Sequence, residues 1–249
     1  MFGWLRSKPT CPVSIEEKEW IERRFSWLTK EFGKKGLRSR RIILPTIEYF
    51  PASYHGSEEE LVELMELVAN YMDVEPACLR LKFYEDNHSI MEGMLTEGSS
   101  GLYVESDGCY YIWLEVSRLG DPLAVVATLA HEIGHVVLLG QRRVSSSVED
   151  HEQLTDLLTV FLGLGIFTAN GVIQEDNWRV GRFSGWSIQR SGYLTMNMFG
   201  YALALFALAR GENKPSWLSH LRPDVRRACR LGIRYIVHTG DCQCAFEQR

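Results

Sequence analysis

Apolar residues recur along this chain at two different periods, and the changes of period mark out its elements. Ile15, Trp20, Ile21, Phe25, Leu28 and Phe32 fall near helical spacing. Ser14 with Glu17 three residues later makes a capping box, and Gly33 and Gly36 follow, so a helix is expected over 13–32. A second helix starts at Ser57, again with an acid three residues on at Glu60; Leu61, Leu64, Met65, Val68, Ala69 and Met72 form its core-facing stripe. Ile42-Ile43-Leu44, stopped by Pro45, predicts a short buried strand. Leu79, Leu81 and Phe83 alternate as in a half-buried strand. Leu102–Val104 and Cys109–Val116 flank Ser106-Asp107-Gly108, which predicts a hairpin. The pattern leaves open whether its strands are interior or whether one borders the next helix as an edge.

That next helix breaks the pattern. Asp121 is a good N-cap, Pro122 fits the first helical position, and Gly140 is placed to close the helix in a left-handed conformation. Leu123 to Leu139 is apolar nearly all round, which marks a helix buried on most sides. Thr128, His131, Glu132 and His135 are the exceptions, and their spacing aligns them in one polar stripe. Burying two imidazoles and a carboxylate costs several kcal/mol unless they are paired, hydrogen-bonded or bound to a metal.

The spacing favours the metal. His131 and His135 stand one turn apart on one face, so two ring nitrogens can reach one Zn²⁺ at about 2.0–2.1 Å. Glu132 between them points beside such an ion, where it can take a proton from water. Catalytic zinc needs a third protein donor and an open position. Glu152 opens a following helix and can supply that donor, while Asp156 on the same face can accept the outer N–H of a ligating His.

His131-Glu-x-x-His135 followed by Glu152-x-x-x-Asp156 resembles the active site of the gluzincin metallopeptidases, the thermolysin-like branch of the zincins. The resemblance covers 121 to about 171. It implies His131, His135 and Glu152 as zinc ligands, Glu132 as general base and Asp156 as the residue that orients His131. It also implies an α+β, zincin-like fold: a small mixed or antiparallel sheet with an active-site helix, then a mainly helical second half. In this group a Tyr or His after the Glu ligand stabilises the oxyanion; the candidates here are Tyr193, Tyr201, His220 and His238, with Ser-Gly-Tyr193 before a helix the most suggestive. The chain also departs from the group. Sixteen residues separate His135 from Glu152, somewhat fewer than usual; His151 stands where the group has Asn; and no Gly-x-Met-Glu-Asn stretch is present to hold a substrate's amino terminus.

The rest of the sequence narrows the reading. In 249 residues, 45% hydrophobic and 24% charged, there is material for a large core. A single domain over 1–249 is expected, with an N-terminal α/β part (1–120), the metal-site helices (121–171) and a mainly helical C-terminal part (172–249). A net charge of −5 argues against a general nucleic-acid binder. The longest apolar runs, Leu123–Ala130, Leu157–Phe167 and Tyr201–Ala209, are too short to span a bilayer. Residues 1–6 offer no signal-peptide core, and six cysteines without a Cys-x-x-Cys pair read as reduced thiols, so a cytoplasmic protein is expected. Cys242-Gln-Cys244 is the one close pair, open to a redox or second metal role.

Residues 34–41 are basic but read as a solvated connector, 86–100 with His88 as a polar loop, and 141–148 as a connector or lid. The Glu152 helix should run on to Asn170-Gly171, while 177–192 shows no period and reads as irregular. Met196–Arg210 predicts an apolar helix, and Pro223 opens a last helix whose Arg226, Arg227, Arg230 and Arg234 form an outer face. The expected function is zinc-dependent hydrolysis of a peptide or protein substrate. The alternatives are a zincin-fold zinc-binding regulatory or interaction protein without turnover, and a hydrolase of a non-peptide substrate.

Overall fold

The structure is a computed structural model that describes residues 9–85, 101–106, 108–171, 173–180, 183–190 and 193–244, with backbone alone for 34–36, 101–103, 173–180 and 183–190. The sequence readings for residues 1–6, for the 86–100 stretch with His88 and for Asp107 lie outside the described residues. In chain order the elements are α1 (Ile15–Phe32), α2 (Lys34–Ser39), α3 (Glu58–Tyr71), β1 (Leu79–Tyr84), β2 (Gly101–Ser106), β3 (Cys109–Glu115), α4 (Pro122–His135), α5 (His151–Phe161), α6 (Gly165–Asn170), β4 (Ile173–Val180), β5 (Phe183–Arg190), α7 (Met196–Ala209) and α8 (Pro223–Thr239). The fold class is α+β, with eight helices and a small three-stranded mixed sheet among the described residues. Contacts cluster in two units: residues 40–194 form one, and the flanking stretches up to 39 and from 195 form the other.

The 40–194 unit is built on α4. Its N-cap Asp121 accepts from Leu123 and Ala124 N–H, with Pro122 at the first helical position. Helix α3 begins at a capping box in which the Ser57 hydroxyl accepts from Glu60 N–H and the Glu60 carboxylate accepts from Ser57 N–H. It buries Leu61, Leu64, Met65, Val68 and Ala69 and packs on α4. The sheet has the order β1-β3-β2. The 101–116 hairpin is present: β2 pairs antiparallel with β3 from Gly101 opposite Leu114 to Ser106 opposite Cys109. Strand β1 runs parallel to β3 on its other side, from Leu79 opposite Tyr110 to Tyr84 opposite Glu115. Strand β3 is therefore interior, burying Ile112 and Leu114, and β2 is an edge of this sheet that lies beside α4.

Several sequence expectations need correction. Residues 42–44 belong to no strand. Ile43 is still buried, because its N–H bonds to Gly163 O at 2.9 Å. That contact also ends the Glu152 helix early. Gly163 adopts φ +92°, a Cβ there would stand 2.0 Å from Arg41 O, and the chain restarts as α6. Residues 34–39 form a short helix rather than a plain connector, with Leu37 buried. The 177–192 stretch read as irregular takes in the end of β4 and all of β5, which pair antiparallel from Ile173 opposite Arg190 to Val180 opposite Phe183. Its residues lack the alternation of a half-buried sheet, so pattern alone could not show main-chain pairing. Counted with the π turn that follows it, the α4 helix reaches Gly140: 19 residues, longer than any uninterrupted apolar run, with an 18-residue window of mean hydropathy 1.7. Of that window, 67% is buried inside the protein.

In the other unit, α1 also starts at a capping box, between Ser14 and Glu17. Helix α7 is apolar on all sides and almost wholly buried, and α8 lies close against it. Hydrogen bonds to one buried carboxylate tie α1 to the C-terminal part of this unit. The Glu22 carboxylate, fully buried, accepts from Tyr201 OH at 2.6 Å and from Gln243 N–H at 2.9 Å, with Lys18 Nζ at 3.3 Å. Cys242 and Cys244 are free thiols. Arg227, Arg230 and Arg234 are exposed on α8 as expected. Arg226 is partly withdrawn, donating to the carbonyls of Ser219 and Leu221.

Candidate metal centre

Four turns of α4 and the first two of α5 bring the polar stripe into register with the acids that follow it. Glu152 Oε2 lies 3.1 Å from His131 Nε2 and 3.2 Å from His135 Nε2. One donor atom from each of the three residues can be chosen so that all lie within 4.8 Å of one another. The two imidazole rings meet edge to face at 4.8 Å.

The hydrogen bonds behind these rings decide which nitrogens are free. Asp156 Oδ1 sits 2.9 Å from His131 Nδ1, and a carboxylate there requires Nδ1 to carry the proton. Thr155 Oγ1 lies 3.4 Å from His135 Nδ1 and spends its own proton on His151 O at 2.8 Å, so it accepts from Nδ1–H. Both Nε2 lone pairs then face the Glu152 carboxylate. Three electron-pair donors converging on one point repel each other unless a cation or a proton sits among them. The donor set of two imidazoles and one carboxylate oxygen fits a divalent ion such as zinc.

The charge states follow the same logic. Burial alone would lower the His131 pKa, but its hydrogen bonds to Asp156 and Glu152 outweigh burial and hold it well above the ordinary value. Burial would raise Glu152, yet hydrogen bonds from His131 and His135 carry it well below the usual carboxylate range. Without an ion, a proton shared on this cluster takes the cation's place. Glu132 behaves oppositely: burial pushes its pKa up, against the lowering effect of His135 and His131. Such a carboxyl is poised nearer to neutral pH than an exposed one, as proton acceptance requires. Nearby Tyr84, at the end of β1, is pushed up to about 12 by burial and by the charges of Glu115 and Glu132.

Asp156 has a second task. Its Oδ2 accepts from the N–H groups of Tyr193 at 2.7 Å and Leu194 at 3.0 Å, which draws this segment over the site. The Tyr193 ring consequently stacks on His131, centroids 5.8 Å apart and planes inclined by 18°. Of the four oxyanion candidates, Tyr193 alone belongs to this unit. Tyr201 bonds Glu22 in the other unit, where His220 and His238 also lie.

Two features were not anticipated. Thr155 fixes the His135 tautomer; its only sequence signal is its place beside Asp156 on the same short helix. Gly134 lets α5 come this close, since a Cβ there would stand 2.7 Å from Thr155 Cγ2. The expected left-handed cap at Gly140 is also absent. The helix instead widens into a π turn over Val136–Gly140, immediately after His135, and the left-handed residue is Arg142 at φ 57°. Comparison with protein-family models, curated proteins and solved structures gives no match.

Proposed function

We propose that the protein is a zinc-dependent peptidase of gluzincin type. One observation carries the reading: both Nε2 lone pairs and a carboxylate oxygen aim at one point, beside a buried carboxylate that is no part of the donor set. His131, His135 and Glu152 would hold the ion. When bound, zinc supplies Lewis acidity, lowering the pKa of a water and polarising a carbonyl. Glu132 accepts the proton of the attacking water and returns it to the departing amine. Tyr193, stacked on His131, is the group best situated to donate to the developing oxyanion. The edge strand β2 beside α4 offers main-chain groups with which an extended peptide can pair.

A structural zinc site usually has four closed protein ligands and needs no base, so the presence of Glu132 favours turnover. The test is direct. Purified protein should hold about one zinc ion per chain. Glu132→Gln should keep the ion and lose hydrolysis of a denatured-protein substrate by about 10²–10⁴-fold. Wild-type protein that binds zinc yet cuts nothing in a broad peptide library would transfer the assignment to a metal-binding protein without turnover.

A further inference from the structure

His151 opens α5 directly before the carboxylate donor, and the site as described gives its side chain no use. Its main chain is fully engaged: the N–H bonds Val148 O at 3.1 Å and the carbonyl accepts from Thr155 Oγ1 at 2.8 Å. The ring is not. Nδ1 is shielded from solvent and makes no hydrogen bond, which is uncommon for a buried polar atom. Glu152 Oε1 lies 3.7 Å from it, just beyond hydrogen-bond reach. The other carboxylate oxygen, Oε2, is the one set between the His131 and His135 nitrogens. Glu152 therefore turns one oxygen towards the centre and the other towards His151.

We propose that His151 is a positioning residue that donates Nδ1–H to Glu152 Oε1 and so holds the carboxylate to the ion through Oε2 alone. This rests on the reading of the site as a metal centre. A contraction of a few tenths of an ångström completes the bond. Held in that way, Glu152 fills one coordination position instead of two, and room remains for water and a carbonyl oxygen. The arrangement does not suit His151 as a fourth donor. Its ring lies 6.0 Å from that of His135, against 4.8 Å between the two donor rings. The tight donor group among the described residues is His131, His135 and Glu152.

The ring atom at work can be identified by isosteric replacement. An Asn amide nitrogen at this position falls near the place of Nδ1, whereas a Gln amide falls near that of Nε2. Zinc affinity would be measured by competition with a chromophoric chelator for wild type, His151→Ala, His151→Asn and His151→Gln, with Co²⁺ absorption spectra beside it. His151→Ala and His151→Gln should bind zinc about 10–100-fold more weakly. His151→Asn should stay within about threefold of wild type and leave the Co²⁺ bands in place, since the ligand set is unchanged.

Equal affinity in all four proteins overturns the proposal while leaving the metal centre standing. Rescue by Gln instead of Asn assigns the other ring nitrogen and overturns it as well. An Asn variant as weak as Ala, with displaced Co²⁺ bands, makes His151 a ligand, which also overturns it. Wild-type protein that takes up no zinc removes the metal-centre reading and the proposal together.

Discussion

At the scale of single residues, Asp156 does the most with the fewest atoms. One oxygen sets the His131 tautomer and the other ties down Tyr193 and Leu194. Asp156→Ala should therefore lower zinc affinity about 10–100-fold, as loss of such an outer hydrogen bond commonly does. It should also free the segment carrying Tyr193, raising amide exchange at 193 and 194. Asp156→Asn keeps the shape but can offer an N–H where an acceptor is needed, and its affinity should fall in the same range. Gly134 is a test of a different kind. In an ordinary helix, Gly→Ala adds about 0.5–1 kcal/mol of stability. Here the new methyl would stand 2.7 Å from Thr155 Cγ2, a group on a short, β-branched side chain with little freedom to yield. Overpacking of this sort costs about 1–3 kcal/mol, which exceeds the helical gain. Gly134→Ala should lower the urea midpoint of the metal-free protein and, by pushing α5 away from α4, weaken zinc binding.

Elements show why some of this was legible in the sequence and some was not. The caps at Ser14, Ser57 and Asp121 are local chemistry, and each makes the bonds its sequence implies. Helical spacing likewise made the His131/His135 pair and the Glu152/Asp156 pair legible, each on one helix face. Bringing the two pairs together was an expectation carried by the motif resemblance rather than by spacing. Features set by another part of the chain were hidden. The break at Gly163 exists because residues 41–43 press against it. The β4–β5 hairpin rests on main-chain pairing that its residue types do not announce. The close contact of α7 with α8 is of this hidden class. A Cβ on Gly232 would stand 2.9 Å from Ala204 Cβ, and one on Gly200 would stand 2.4 Å from Ala228 Cβ. These helices can approach closely only at such small residues. Gly232→Val should destabilise the protein by about 1–3 kcal/mol or more, visible in denaturant unfolding. Zinc affinity should stay unchanged, because Gly232 belongs to the other unit from the three donors.

For the molecule as a whole, an ion held by the His131, His135 and Glu152 group would link ion binding, proton binding and folding. An ion that binds the folded chain alone stabilises it by about 4 kcal/mol at a free concentration a thousandfold above its dissociation constant. Stripping the ion with a chelator should remove that increment and leave the proton-bound form of the cluster. The His131 pKa is raised on folding, so its contribution is complete below the unfolded value of about 6.5 and is lost as pH rises through the folded value. Glu132, raised by burial, acts in the same direction, since its ionisation in the folded protein is disfavoured as pH rises. Glu152 is depressed; its contribution is present above about 4.5 and fails only in acid. Metal-free protein should thus begin to lose stability above about pH 4.5 through Glu132 and lose it further from about pH 6.5 upward through His131, while Glu152 adds a separate decline below about pH 4.5. Zinc-loaded protein should not follow the decline through His131, because the ion occupies the point the proton vacates. Thermal midpoints of the two forms, measured from pH 5 to pH 9, should diverge with rising pH. Parallel curves would mean that His131, His135 and Glu152 do not share a cation site coupled to folding.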